Sequence, residues 1–112
     1  MHQPNFPLKP ISETYGVTCN SISVITLPGL PADAIVAFVQ VETRGVRARF
    51  NATSSLTFVV TAGAGGGLAL FVNTINTPWY EFFGWDMLNR MRLTGDGGDG
   101  VINVIYLGVS QP

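Results

Sequence analysis

The chain has 112 residues, enough for one domain with its own core and too few for two. Charged residues make up 12% of it, about half the usual share, and the net charge is −1. So sparse a charge protects a free monomer badly against association and points to a protein made for an assembly, while the near-neutral balance excludes bulk attraction to nucleic acid or an anionic membrane.

Residues 1–18 read as an extended arm. Pro4, Pro7 and Pro10 recur at every third position, the repeat of a polyproline II helix, and such an arm can lie on a neighbouring subunit as readily as fray. The segment MHQPNFPLKPIS carries no apolar run of the signal-peptide kind. Residues 19–112 then form one domain of short β-like runs. Asn20 to Leu27 alternates before the turn PGLP, and Ala34 to Glu42 is rich in β-branched and aromatic residues. Val46 to Phe50 alternates without a break. Ser55 to Thr61, Leu68 to Asn73, Trp79 to Phe83, Leu88 to Leu93 and Val101 to Leu107 complete about eight strands, which predicts an antiparallel sandwich or barrel. A short helical turn has room only in Ala32 to Gln40 and Trp85 to Arg92.

No charge occurs from Asn51 to Tyr80, yet the apolar run within it, TFVVTAGAGGGLALFV, is short for a spanning helix and is broken by glycines. Two strands about a glycine turn at AGAGGG, Ala62 to Gly67, account for it better, and no membrane contact is expected.

Catalysis has little to stand on. The one imidazole, His2, lies in the arm, Cys19 lacks a base and a disulfide partner, and no sequence feature pairs two of the seven carboxylates. We expect no enzyme activity, no cofactor and no metal. TGDGGDG, Thr94 to Gly100, resembles half of one calcium-binding nonapeptide repeat, but those repeats act in series; Asp-Gly twice between alternating runs predicts a hairpin loop.

Two features suggest contact with a partner. NTPWYEFFGW, Asn76 to Trp85, holds five of the twelve aromatics, and alternation puts Trp79 with Phe83 on one face of a strand and Tyr80 with Phe82 on the other. One face can fill the core, leaving the other for an interface or a sugar-stacking platform. All but Lys9 of the six basic residues are arginines. Arg44, Arg47 and Arg49 fall within VETRGVRARF, and Arg90 with Arg92 repeats the spacing of Arg47 with Arg49. Each i, i+2 pair on a strand points outward, either as solvated charge that discourages edge pairing or as guanidinium forks for a partner's carboxylates and carbonyls.

VETRGVRARF, an uncharged pair of strands, and the closing MLNRMRLTGDGGDGVINVIYLG together resemble small β-sandwich virion proteins of tailed bacteriophages, over Ala34 to Gly108. The resemblance implies an antiparallel β-sandwich of jelly-roll type and a structural role as a capsid cement or decoration protein in the virion. It implies as partners the major capsid protein and copies of the chain itself, in a dimer or trimer. Residues expected at such interfaces are Arg44, Arg47, Arg49, Arg90, Arg92, Trp79, Tyr80, Trp85, Pro4, Pro7 and Pro10. The rival expectations are a tail or fibre component, and a carbohydrate-binding module with Trp79, Tyr80 and Trp85 as its platform.

Overall fold

A computed structural model of the chain describes residues 7–50, 68–75 and 79–109. The described residues form β1 (Leu8–Cys19), β2 (Ile25–Thr26), β3 (Val36–Glu42), β4 (Val46–Arg49), β5 (Leu68–Leu70), β6 (Tyr80–Phe83), α1 (Trp85–Arg90), β7 (Arg92–Gly95) and β8 (Gly100–Val109). They make two antiparallel sheets of four strands, ordered β1-β8-β3-β6 and β2-β7-β4-β5. The fold is therefore mostly β, as alternation predicts.

The pairings are nested. β4 pairs with β5, β3 with β6, β2 with β7 and β1 with β8, as if one long hairpin had been folded over itself. Further ladders, β3 with β8 and β4 with β7, then knit the folded ribbon into two sheets. One core lies between them. Val39, Val41, Ile102, Val104 and Tyr106 enter it from the first sheet, and Val46, Ala48, Leu70 and Leu93 from the second. The Tyr106 hydroxyl, sunk in this core, donates to the Pro28 carbonyl at 2.6 Å, which satisfies its polar tip.

Several expectations need correction. From Leu8 onward the N-terminal arm is β1, which runs along β8 from Leu8↔Val109 to Cys19↔Gly100. It is extended, as its prolines demand, but it belongs to the first sheet rather than standing apart from it. Among the described residues β1 is an edge strand, with no strand paired on its other side, and that is why Pro10 fits. Two register shifts, between Pro10 and Ser12 and between Thr14 and Val17, break the edge further, the second at Gly16 with φ 69°.

The strand expected from Asn20 to Leu27 shrinks to Ile25–Thr26. Asn20 Oδ1 accepts the Ile22 N–H at 2.7 Å, an Asx-type turn that competes with extended pairing. Leu88 to Leu93 is not one strand. A strand there would put Leu88 on the face opposite Met91 and Leu93; the α1 turn brings Leu88 and Met91 to one side, and all three are buried. The hairpin expected at Thr94 to Gly100 is also overturned, because β7 and β8 lie in different sheets and the loop crosses between them. The strand expected at Ser55 to Thr61 and the glycine turn at Ala62 to Gly67 lie outside the described residues, as do His2 and Pro4. Among the described residues no helix is long and apolar enough to cross a membrane.

Candidate functional site

The arginines divide differently from the sequence pairs. In β4, Val46 and Ala48 are buried and Arg47 and Arg49 point the other way, as alternation requires. Arg90 ends α1, where its Nε donates to Asp86 Oδ1 at 3.1 Å one helical turn back. Arg92 opens β7 and stands directly opposite Arg49 in the ladder. The true pair is thus Arg49 with Arg92, across strands. Like charges so placed repel; Arg92 turns its Nη1 onto the carbonyls of Asn89 (3.0 Å) and Met91 (3.1 Å), where a cation also meets the helix C-terminus favourably. Arg47 Nε bonds Asp96 Oδ2 at 3.2 Å with most of its side chain covered. Arg44 reaches the Gly97 carbonyl at 3.4 Å, lying against Gly98 so closely that a Cβ there would sit 2.8 Å from its Nε.

The Asp-Gly loop is pinned from several sides. Asp96 N–H donates to Gly45 O and Gly95 N–H to Asn20 O, both at 2.9 Å, while Asp99 Oδ1 accepts the Ser21 N–H at 3.4 Å. A side chain at Gly95 would meet the Gly98 carbonyl, and would lie 2.6 Å from the Cys19 carbonyl, so the close approach of backbones explains this glycine. Among the described residues no three His, Cys, Asp or Glu gather into a group fit for a metal. Cys19 is fully buried, and burial pushes its thiol up to about 12, away from nucleophilic use.

The aromatic cluster splits as its alternation says. Phe82 is buried and Tyr80 packs against the core, its hydroxyl accepting the Phe71 N–H at 2.8 Å and so tying the end of β5 to β6. Trp79 and Phe83 are 52% and 57% exposed. Trp85 lies on α1, beside a second, shallow hollow shared with Leu30, Asn89 and Arg92. Trp79, Tyr80 and Trp85 therefore do not form one platform.

Trp79 instead joins residues that the sequence did not single out. A cleft of about 280 Å³ on the outer face of the first sheet is lined by Tyr15, Phe38, Gln40, Trp79, Asn103 and Ile105. The register places Phe38 between Glu81 and Ile105, Gln40 beside Asn103, and Glu13 beside Ile105. The Phe38 and Trp79 rings sit 6.2 Å apart and tilted by 53°. Three carboxylates hold the polar tips: Tyr15 OH donates to Glu13 (3.0 Å), Asn103 Nδ2 to Glu42 (3.0 Å) and Trp79 Nε1 to Glu81 (3.3 Å). Asn103 also donates to Gln40 Oε1 at 3.1 Å and accepts the Gly16 N–H at 2.9 Å across the second β1 irregularity. The two outer faces thus differ in sign. Among the described strand residues, register puts Glu13, Glu42 and Glu81 and no Lys or Arg on the first, and Arg47, Arg49 and Arg92 and no carboxylate on the second.

Comparison with family models, with curated proteins and with solved structures finds no match.

Proposed function

We propose that this chain is a structural subunit of a bacteriophage particle, of jelly-roll type, acting as a cement or decoration protein on the head shell. The observation that carries the assembly reading is where the apolar surface lies. Among the described residues, seven of the ten exposed large apolar side chains fall between Leu68 and Met87, on β5, β6, α1 and the chain between them. Among the described residues β5 and β6 stand at the edges of their sheets, and an edge lined with Phe83, Trp85 and Met87 offers apolar area to a neighbour. Contact between copies there would bury on the order of 800 Å² per partner.

The nested pairing β1-β8, β2-β7, β3-β6 and β4-β5, split between two sheets, supports the jelly-roll form, an architecture used by many capsid domains. The virion assignment itself rests on the resemblance of VETRGVRARF and MLNRMRLTGDGGDGVINVIYLG to phage β-sandwich proteins. In this reading Arg49 and Arg92 dock the second sheet onto carboxylates of the major capsid protein, while the β5–β6–α1 edge joins copies to one another. Many weak contacts then act together.

The test has two variants, Phe83→Ser/Met87→Ser and Arg49→Ala/Arg92→Ala. The first should shift sedimentation from oligomer to monomer, and the second should lose binding to shells stripped of the protein, both with little change in melting. A wild-type chain that stays monomeric at high concentration and does not bind such shells ends the proposal. Band quantitation of purified particles separates cement, present in many copies, from a tail or fibre component, present in few.

A further inference from the structure

We infer that the cleft on the outer face of the first sheet is a binding site for a small organic cation of the quaternary-ammonium class, with choline as its simplest member. The inference does not depend on the virion reading, since it concerns a single copy of the chain. Three aromatic side chains, Tyr15, Phe38 and Trp79, come from β1, β3 and the approach to β6 and line one hollow. Tyr15 is 58% exposed and Trp79 52%, so ring surface is open to a ligand rather than consumed by the core. Aromatic faces carry the negative part of the ring quadrupole and attract a cation with methyl groups, which also gains from apolar contact.

The polar groups decide between a cation and a neutral ligand such as a sugar. A sugar needs donors and acceptors in comparable number. Here the donors of Tyr15, Trp79 and Asn103 already point at Glu13, Glu81, Glu42 and Gln40. What these partners still offer is mainly carboxylate oxygen. By register the face carries three carboxylates and no Lys or Arg among the described strand residues, so its field is negative with no internal counter-charge. Each carboxylate also draws on the proton of the hydrogen bond it accepts from a lining group, which makes the Tyr15 and Trp79 rings more electron-rich. A volume of about 280 Å³ suits a head group rather than a large ligand. Aromatic walls, negative rim and small size together select a compact, soft cation.

Isothermal calorimetry on the full chain, at constant ionic strength, tests this with three ligands. They are choline, 3,3-dimethylbutan-1-ol (the same shape without the charge) and methyl glucoside. Choline should bind saturably and weakly, and the neutral isostere should bind about tenfold less well. Trp79→Ala should reduce choline binding by a similar factor. Because Trp79 helps shape the start of β6, the isosteric double variant Glu13→Gln/Glu81→Gln serves as the second probe; it should melt as the parent does and bind choline several-fold more weakly. In a Trp85→Phe background Trp79 is the one tryptophan left of two, so its fluorescence should titrate along the same curve. Equal binding of the isostere would show an apolar hollow with no charge selectivity, and preferential binding of the glucoside would show a sugar site. Either result overturns the inference, as does choline binding that is absent or untouched by both variants.

Discussion

Thr43 sits between β3 and β4 at φ 71°, and the Arg44 N–H reaches back over it to the Glu42 carbonyl at 2.9 Å. That is a γ-turn with a β-branched residue at its centre, a conformation that costs on the order of 1–3 kcal/mol. Thr43→Gly removes the clash and gives back about 0.4–1 kcal/mol through the looser unfolded chain. The net should be a gain of roughly 1 kcal/mol, seen as a melting point several degrees higher; a lower melting point would show that the turn is unstrained. Cys19 and Tyr106 set the alkaline behaviour. Burial raises the Cys19 thiol from 9.0 to about 12 and raises the Tyr106 hydroxyl above its usual 10.0. Below about pH 9 both groups are protonated in folded and unfolded chain alike, so neither makes stability depend on pH. Above it the unfolded chain loses protons that the folded chain keeps, and stability falls as pH rises towards about 12. Urea midpoints taken from about pH 8 to about pH 11 should therefore decline, and less steeply in Cys19→Ala. Equal slopes in the two proteins would remove Cys19 from the account.

At the scale of elements, β1 carries the sharpest consequence. Deleting residues 1–14 strips the β8 edge from Val104 to Val109 of its partner and removes Ile11, which packs on the core. The truncated chain should lose on the order of 2 kcal/mol or more of stability. Deleting residues 1–6 leaves every described pairing in place and serves as the control. If the longer deletion melts like the full chain, β1 is dispensable and behaves as the arm its prolines suggest. The sequence misleads here for a physical reason. LKPISETYGVTC is polar because it covers one side of a sheet at its edge, and period-2 alternation fades across two register shifts. β3, β4 and β8 are legible because each buries one full face, so Val39 and Val41, Val46 and Ala48, or Ile102 and Val104 repeat at every second place. α1 is too short for a period to develop, and turn chemistry at TGDGGDG announces a reversal without saying which sheet receives the chain. Of the cleft, alternation can read the exposure of Trp79. Tyr15, Phe38, Gln40 and Asn103 come from three strands far apart in sequence, and register alone assembles them.

For the whole molecule, nesting orders the entropy of closure. The separation in sequence between paired residues grows from β4–β5, through β3–β6 and β2–β7, to β1–β8, where Leu8 meets Val109. Closing a larger loop costs more before its contacts repay it, but once the inner strands pair, each outer pair closes across a span already shortened. Folding should then start at the inner end of the ribbon and finish with β1 docking on β8, and the many distant pairings should keep it in the range of milliseconds to seconds. Mutations can separate the two ends. Leu70 is fully buried on β5, and Leu70→Ala should cost about 2–5 kcal/mol with most of the loss in a slower folding rate. Ile11→Ala, at the outer end, should leave the folding rate nearly unchanged and speed unfolding instead. Stopped-flow chevrons of the two variants decide the matter. A folding limb that falls for Ile11→Ala and not for Leu70→Ala would reverse the order, making the joining of the chain's two ends the first event rather than the last.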